Sequence, residues 1–156
     1  MQDQQSLVFA QSAVIPWRRR GDTLQVLLIT SIRGQRWIIP KGLVEPGMSP
    51  AESAAKEAFE EAGIRGRVAP DPLGEYSYRK WGGTCQVLVF LMEVTAVLEQ
   101  WEEMDVRRRK WLRAYEAAER VREPELQQWL HDLPQLVNPA AGQAEICLAR
   151  VSAQVP

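Results

Sequence analysis

Three glutamates, Glu57, Glu60 and Glu61, lie close together near the middle of the chain. In an α-helix, residues three and four positions apart share a face, so Glu57 would lie beside both of the others. Carboxylate oxygens are the ligands that hard cations such as Mg²⁺ and Mn²⁺ prefer, and these cations leave positions for water and phosphate oxygens. The spacing therefore indicates a divalent-cation site suited to chemistry on phosphate groups.

A solvated acidic helix face is the alternative, and it is the commoner arrangement in proteins generally. Two features favour a cation site. Adjacent glutamates at the C-terminal end of a helix are unfavourable, because the helix dipole prefers cations there. A loop with two glycines, residues 41–48, also leads directly into this helix and brings backbone carbonyls near the same face. A bound cation would make the crowded carboxylates favourable.

The helix that carries these glutamates has clear start and stop signals. Ser49 is a candidate N-cap, Pro50 suits the first helical position, and Glu52 lies three residues after the cap. Gly63 is a natural stop. We therefore predict a helix over 49–62, with its alanines against a sheet and Ser53, Lys56 and the glutamates on the opposite face.

The rest of the chain alternates between apolar, β-branched runs and turn signals. Strands are predicted over 7–15, 24–30, 37–39, 74–80, 84–94 and 110–112, and helices over 115–121 and 125–133. Residues 41–48 are predicted as a loop, and residues 65–72 as a loop with short extended pieces. Strands around one strong central helix predict an α/β fold with layers.

Residues 42–64 resemble the Nudix box, whose pattern is G-x5-E-x7-R-E-U-x-E-E-x-G-U with U a bulky aliphatic residue. The matching residues are Gly42, Glu57, Glu60, Glu61, Gly63 and Ile64. The resemblance extends over about residues 7–133. It implies an α/β/α sandwich with a mixed sheet, a central catalytic helix and a C-terminal helix. It also implies a hydrolase that cleaves a phosphoanhydride (pyrophosphate) bond with Mg²⁺ or Mn²⁺.

The chain departs from this pattern at three positions. Met48 replaces a glutamate and cannot bind a metal, Lys56 replaces an arginine and lacks its planar fork, and Ala58 is smaller than usual. In the family the missing glutamate is generally an accessory residue, so catalysis is expected to survive with reduced or altered activity. A non-catalytic Nudix domain that binds a nucleotide or polyphosphate as a sensor is the alternative.

By the same resemblance, Glu60, Glu61 and the Gly42 carbonyl would bind the cation. Glu57 would bind a metal or orient the attacking water, and Lys56 would hold Glu57 in place. The general base varies within the family, and Glu103 and Glu102 are candidates for it. An exposed loop position is an equally weighted alternative for both.

The segments 40–47 and 101–111 are similar to members that hydrolyse diadenosine polyphosphates and diphosphoinositol polyphosphates. Nucleoside diphosphate derivatives are a further substrate class. Basic residues that could meet such a polyanion are Arg18, Arg19, Arg20, Arg33, Arg36, Lys41, Arg79 and Lys80. Arg18, Arg20, Arg36, Lys41 and Arg79 are the predicted substrate-binding residues. Ordinary turn and edge-strand charges are an equally weighted alternative.

Aromatic residues near the same loops offer a stacking surface for a nucleobase. Trp17, Tyr78 and Trp81 are the candidates, although packing into the core is the favoured role for most of them.

Composition limits the other function classes. Among 156 residues, 46% are apolar and 25% charged, with a formal net charge of -1, as in an ordinary soluble domain. This balance gives no reason to expect nucleic acid or a membrane as partner. We expect a cytoplasmic enzyme acting on a small molecule, and the resemblance also allows a homodimer.

Cysteine and histidine usage argues against other metal chemistry. Cys85 and Cys147 each lie in an apolar stretch and are predicted to be reduced core thiols. One histidine, His131, cannot form a histidine-based metal site. We predict one domain over residues 1–135 and a tail of uncertain structure over 136–156.

Overall fold

A computed structural model describes residues 7–137. It contains one eight-stranded sheet and four helices. The strands are β1 (Leu7–Arg20), β2 (Thr23–Thr30), β3 (Trp37–Ile38), β4 (Lys41–Leu43), β5 (Ile64–Val68), β6 (Gly74–Lys80), β7 (Gly83–Val97) and β8 (Arg109–Arg113). The helices are α1 (Pro50–Ala62), α2 (Ala114–Arg120), α3 (Pro124–His131) and α4 (Leu133–Val137).

The two longest strands, β1 and β7, form the centre of the sheet. They pair in parallel from Leu7 opposite Gly83 to Trp17 opposite Glu93. On its other edge, β1 pairs first with β4 and then with β2, which in turn pairs with β3 and β8. The other edge of β7 pairs with β6 and β5. The sheet is therefore mixed, with short strands around a parallel pair.

Side chains alternate across the sheet and divide the core into two layers. Ala13 and Ile15 of β1 pack on the face covered by α2 and α3. Val14 packs on the opposite face, which α1 covers with Ala54, Ala58 and Ala62. These layers confirm the predicted α/β/α sandwich with a mixed sheet, a central helix and a helix near the C-terminus.

Several strand boundaries differ from the prediction. β1 continues past Pro16 to Arg20 instead of ending at position 15. Pro16 lies between the β1 residues that pair with β4 and those that pair with β2, where a missing N–H is tolerated. The parallel pairing with β7 keeps the backbone extended at this position.

Two segments without predicted regular structure contain elements. The predicted loop 41–48 begins with β4, whose Gly42 pairs with Ser12 of β1. Residues 134–137 belong to α4. In the segment 65–72, the short extended pieces that were predicted correspond to β5, which pairs with β7 through an irregularity at Arg65 and Gly66. Both β4 and β5 obtain their hydrogen bonds from distant strands, so local sequence signals did not define their bounds.

Other predictions concern single residues. Cys85 is buried and free, as predicted, while Cys147 and the rest of the predicted tail after residue 137 lie outside the described residues. Among the helices of residues 7–137, none has the length and apolar character needed to cross a membrane.

Candidate active site

Helix α1 is fixed at both ends by local signals. The Ser49 hydroxyl accepts a hydrogen bond from the backbone N–H of Glu52 at 3.1 Å, and Pro50 occupies the first turn. Gly63 ends the helix in the left-handed conformation, with φ of 64°, and its N–H donates to helix carbonyls. All three predicted end signals are confirmed, and the direction in which each glutamate points follows from this placement.

Glu57 lies against the backbone of β4. A Cβ built on Gly42 would overlap the Glu57 carboxyl group, so only glycine leaves room for it. Within residues 7–137, Glu57 forms none of the ion pairs. Burial and the nearby carboxylate of Glu60 raise the pKa of Glu57 to about 7. The protein itself therefore compensates the ionised form of this carboxyl group poorly.

Lys56 joins the loop before α1 to the helix. Its ammonium group lies 2.6 Å from a carboxylate oxygen of Glu45 and 2.9 Å from one of Glu60. These hydrogen bonds raise the pKa of Lys56 above its usual value. The resemblance implied that Lys56 would hold Glu57, but the ion pairs it forms are with Glu45 and Glu60.

Glu61 occupies a buried environment. It is only 5% exposed, so the helix face opposite most of the alanines is covered at this residue and the alternative of a solvated face does not hold for it. One carboxylate oxygen accepts from the backbone N–H of Lys41 at 2.9 Å, and the other accepts from Arg107 at 2.8 Å. Burial raises the pKa of Glu61 to about 7, although Arg107 and the Lys41 N–H act in the opposite direction.

The segment between β7 and β8 covers the C-terminal end of α1. The Glu60 carbonyl accepts from the Glu103 N–H, the Glu61 carbonyl from the Trp101 indole, and the Ala62 carbonyl from Arg109. Carbonyls at a helix end lack partners within the helix, and this segment supplies them. The same segment contains Glu103, whose carboxylate oxygen lies 3.2 Å from the Arg107 guanidinium. Arg107 therefore pairs with a second carboxylate besides that of Glu61.

Glu103 and Glu102 differ in their surroundings. Glu103 is half-buried and pairs with Arg107, whereas Glu102 is exposed. Of the two candidate bases, Glu103 is therefore the one whose carboxylate is held in a fixed position.

A cleft of about 570 Å³ opens beside α1 and β4. Its lining combines acidic residues, basic residues and an aromatic ring. The acidic members are Glu45, Glu57 and Glu61, the basic ones are Lys41, Lys80 and Arg107, and the ring is Trp81. Charged side chains of both signs thus line one cleft, as binding of a metal–phosphate complex requires.

Lys41 is the one predicted substrate-binding residue that lines this cleft. Burial lowers the pKa of Lys41, and its ammonium group lies 5.2 Å from the centre of the Tyr78 ring. Trp81, at the tip of the hairpin between β6 and β7, is 51% exposed. By contrast, Trp17 and Tyr78 are partly buried and pack against the core.

The other predicted substrate-binding residues lie elsewhere. Arg18 stacks on Trp111, and Arg20 ends β1. They are seven and nine residues along this strand from Gln11, which lines the cleft, and so roughly 20–30 Å away at the rise of a β-strand. The structure does not bring Arg18 and Arg20 to the cleft.

Arg36 and Arg79 are also outside the cleft lining. Arg36 pairs with Glu123 at 2.6 Å. Arg79 and Lys80 are neighbours on β6 and point to opposite faces of the sheet, so Lys80 rather than Arg79 reaches the cleft.

The residues of the candidate site have the oxygen donors that a hard divalent cation prefers, but their side chains do not point to one common position. As they stand, no three His, Cys, Asp or Glu side chains within residues 7–137 are grouped closely enough to hold a metal ion. The donors are nevertheless carboxylate oxygens, and Glu57 has the raised pKa expected for an acidic residue near other carboxylates. We regard Glu57, Glu60, Glu61 and the Gly42 carbonyl as the residues that would hold a cation.

Two residues of the cleft, Glu45 and Arg107, were not among the candidate site residues from the sequence. Lys80 was named there as a basic residue that could meet a polyanion, and it lines the cleft. Glu45 pairs with Lys56, and Arg107 joins Glu61 to Glu103. A signal for Arg107 was present, because Glu103 and Arg107 have the four-residue spacing of a helical ion pair. Its pairing with Glu61 depends on the fold.

Residues 9–133 match the family model described as NUDIX domain. The chain is 38% identical over 109 residues to "Nudix hydrolase 13, mitochondrial" of Arabidopsis thaliana, covering 64% of this chain and 54% of that protein. It is 38% identical over 98 residues to "Diphosphoinositol polyphosphate phosphohydrolase 2" of Rattus norvegicus, covering 60% and 52%. The chain spans about half the length of these curated relatives.

Solved structures show the same fold at lower identity. An Ap4A hydrolase from C. elegans aligns with a TM-score of 0.69 and 20% identity, covering 84% of this chain and 99% of that one. A MutT protein from Methanosarcina mazei Go1 aligns with a TM-score of 0.63 and 18% identity, covering 86% and 98%.

Proposed function

Because the chain belongs to the NUDIX domain family, we propose that it is a hydrolase that cleaves a phosphoanhydride bond in a small-molecule substrate. The proposal includes dependence on a divalent cation, Mg²⁺ or Mn²⁺, since enzymes of this family generally need one. The observation that carries it is the cleft beside α1, which carboxylates and lysines line together.

The two charge types have different tasks in such a reaction. Lys41 and Lys80 in the cleft would bind phosphate oxygens and orient the substrate. The carboxylates would hold the cation, which when bound neutralises charge on the phosphate and lowers the pKa of water. Burial makes the charges of this site interact more strongly than they would in water.

Glu57 and Glu103 are the candidates for proton transfer. The raised pKa of Glu57, about 7, would suit a group that exchanges a proton near neutral pH. Glu103 donates its N–H to the Glu60 carbonyl of α1, and its carboxylate is held by Arg107. We assign the general base to Glu103 and the orientation of cation or water to Glu57.

For the substrate, we propose a diadenosine polyphosphate, a nucleoside diphosphate derivative or a diphosphoinositol polyphosphate. The relative from Rattus norvegicus is named for the last of these, and the solved neighbour from C. elegans for Ap4A. Trp81 supplies an exposed ring at the cleft that favours a nucleobase, while Lys41 and Lys80 favour any polyphosphate.

A second candidate is a non-catalytic domain that binds a nucleotide or polyphosphate. It is favoured by the ion pairs that already engage Glu60 with Lys56 and Glu61 with Arg107. Met48 in place of the box glutamate also supports it.

The test measures phosphate and pyrophosphate release from a panel of substrates with Mg²⁺ or Mn²⁺. The panel contains diadenosine polyphosphates, nucleotide sugars, nucleoside triphosphates and inositol pyrophosphates. Glu57→Gln and Glu60→Gln are compared with Glu52→Gln, an exposed glutamate in the first turn of the same helix. We expect the first two to lose about 100-fold or more in turnover and the control to retain it.

Absence of turnover in the parent protein, with binding of polyphosphate retained, would support the non-catalytic candidate. Equal activity in all three variants would reject the α1 carboxylates as the catalytic group.

A further inference from the structure

Arg107 is the most deeply buried basic side chain at the cleft, at 9% exposure for the whole residue. Its guanidinium makes three kinds of contact. It donates to Glu61 at 2.8 Å, to Glu103 at 3.2 Å and to the Thr30 backbone carbonyl at 3.0 Å. A buried charge needs such partners because its desolvation is costly.

These three partners belong to separate parts of the fold. Thr30 ends β2, Glu61 lies in the last turn of α1, and Glu103 belongs to the segment between β7 and β8. The planar fork of an arginine can hold two carboxylates at fixed angles, which a lysine cannot. Arg107 thus sets the position of Glu61 relative to Glu103.

Glu61 is held from both sides. The Lys41 N–H binds one of its carboxylate oxygens and Arg107 binds the other. Each carboxylate oxygen has two acceptor positions, so both bonds can persist while the remaining positions face the cleft. Partners of this kind orient metal ligands, and their loss typically reduces metal affinity by ~10–100-fold.

We propose that Arg107 is a positioning residue that orients the carboxylate of Glu61 for cation binding and holds the carboxylate of Glu103 beside it. The proposal rests on the proposed function, because it assigns Arg107 to the same site. Arg107 does not contact the substrate in this role and acts through the two glutamates.

A purely structural role would be to attach the segment between β7 and β8 to α1. That attachment has other bonds, from Glu103 N–H to the Glu60 carbonyl, from the Trp101 indole to the Glu61 carbonyl, and from Arg109 to the Ala62 carbonyl. Since these contacts use backbone carbonyls, they can hold the segment in place without orienting any carboxylate. The positioning role is therefore separable by experiment.

The experiment measures Mn²⁺ binding to the full chain without substrate, by electron paramagnetic resonance of free Mn²⁺. The variants are Arg107→Met and Arg107→Lys, and the matched control is Arg109→Met, which removes an anchor of the same segment without touching Glu61 or Glu103. Thermal unfolding of each metal-free variant is recorded in parallel.

We expect Arg107→Met to weaken Mn²⁺ binding by about 10–100-fold and Arg107→Lys to recover part of the loss. Arg109→Met should reduce thermal stability yet keep the Mn²⁺ affinity within about twofold of the parent. If Arg107→Met does not fold, Arg107→Lys still tests the proposal, because one ammonium group cannot orient both carboxylates and must bind Mn²⁺ more weakly than the parent.

Two results would overturn the inference in different ways. If the parent binds Mn²⁺ and the folded Arg107 variants bind it equally tightly or more tightly, the positioning role alone is rejected. A parent that binds no Mn²⁺ would reject the cation site of the proposed function, and the role of Arg107 with it.

Discussion

The carboxyl group of Glu57 lies directly against the Cα of Gly42, with no space between them for a side chain. Any larger residue at position 42 must displace Glu57 from its place in the cleft. We expect Gly42→Ala to weaken cation binding and to lower the melting temperature of the protein. A double-mutant cycle checks the cause: in a Glu57→Ala background the destabilisation by Gly42→Ala should largely vanish. If Gly42→Ala destabilises both backgrounds equally, the overlap of its Cβ with the Glu57 side chain is not the cause.

Glu45 is an acidic partner of Lys56, and Met48 stands where the box pattern has a glutamate. Lys56 contacts Glu45 at 2.6 Å, so restoring a glutamate by Met48→Glu adds little. We predict that Met48→Glu changes turnover by less than about twofold, while Glu45→Gln lowers it by roughly twofold to fivefold, the modest effect of a partly exposed ion pair. Turnover of each variant is measured with saturating cation. In a Lys56→Met background the Glu45→Gln effect should disappear, and a large gain from Met48→Glu would contradict the prediction.

The metal-free protein should lose stability as pH rises from about 5 to about 8. Burial raises the pKa of both Glu57 and Glu61 to about 7, so the folded state keeps protons that the unfolded chain releases near its ordinary pKa of 4.5. The stabilisation is complete below the unfolded pKa and is lost as pH rises through about 7. Melting temperatures in a chelator, compared between parent and Glu57→Gln, isolate the Glu57 contribution.

Glu57→Gln should match the parent near pH 5 and exceed it in melting temperature near pH 8. With Mg²⁺ present the parent should regain stability at the higher pH, because a cation favours the ionised carboxylates. A metal-free difference between the two proteins that stays constant with pH would refute this account.

Gly63 combines a left-handed backbone with a close neighbour. Its φ is 64°, and an added Cβ would lie 2.6 Å from Cβ of Trp101. Gly63→Ala should reduce the free energy of unfolding by about 1–3 kcal/mol from backbone strain alone, with a further loss from the overlap. Chemical denaturation gives the values. Gly21→Ala is the control, since Gly21 has a φ of 59° and open space around its Cβ position. A smaller loss for Gly63→Ala than for Gly21→Ala would contradict the proposed packing.

Helix α1 could be predicted nearly to the residue because its end signals are local. Ser49, Pro50 and Gly63 act on backbone groups within one turn of themselves. The alanine face could be predicted for a similar reason, because it follows from the spacing of residues within the helix itself. The depth of Glu61 could not be predicted, because a segment more than forty residues later covers it with Arg107.

Which basic residues line the cleft depends on how the strands pair, and the sequence did not reveal that pairing. Lys41 reaches the cleft because β4 pairs with the early part of β1, and Arg18 does not because it lies near the other end of that strand. Arg79 and Lys80 are neighbours in β6, so their side chains point to opposite faces of the sheet. The pairing of β6 with β7 places Lys80 on the face with the cleft.

The parallel pairing of β1 with β7 has a consequence for the order in which the molecule folds. It joins residues 7 and 83, and β4, α1 and β6 all lie in the chain between them. Closing so long a loop has a large entropic cost before its contacts are formed, so folds of this kind reach their native state slowly. The carboxylates of α1 should therefore meet Lys80 and Arg107 only late in folding. Mg²⁺ added to a refolding sample would then leave the refolding rate unchanged and slow the unfolding rate.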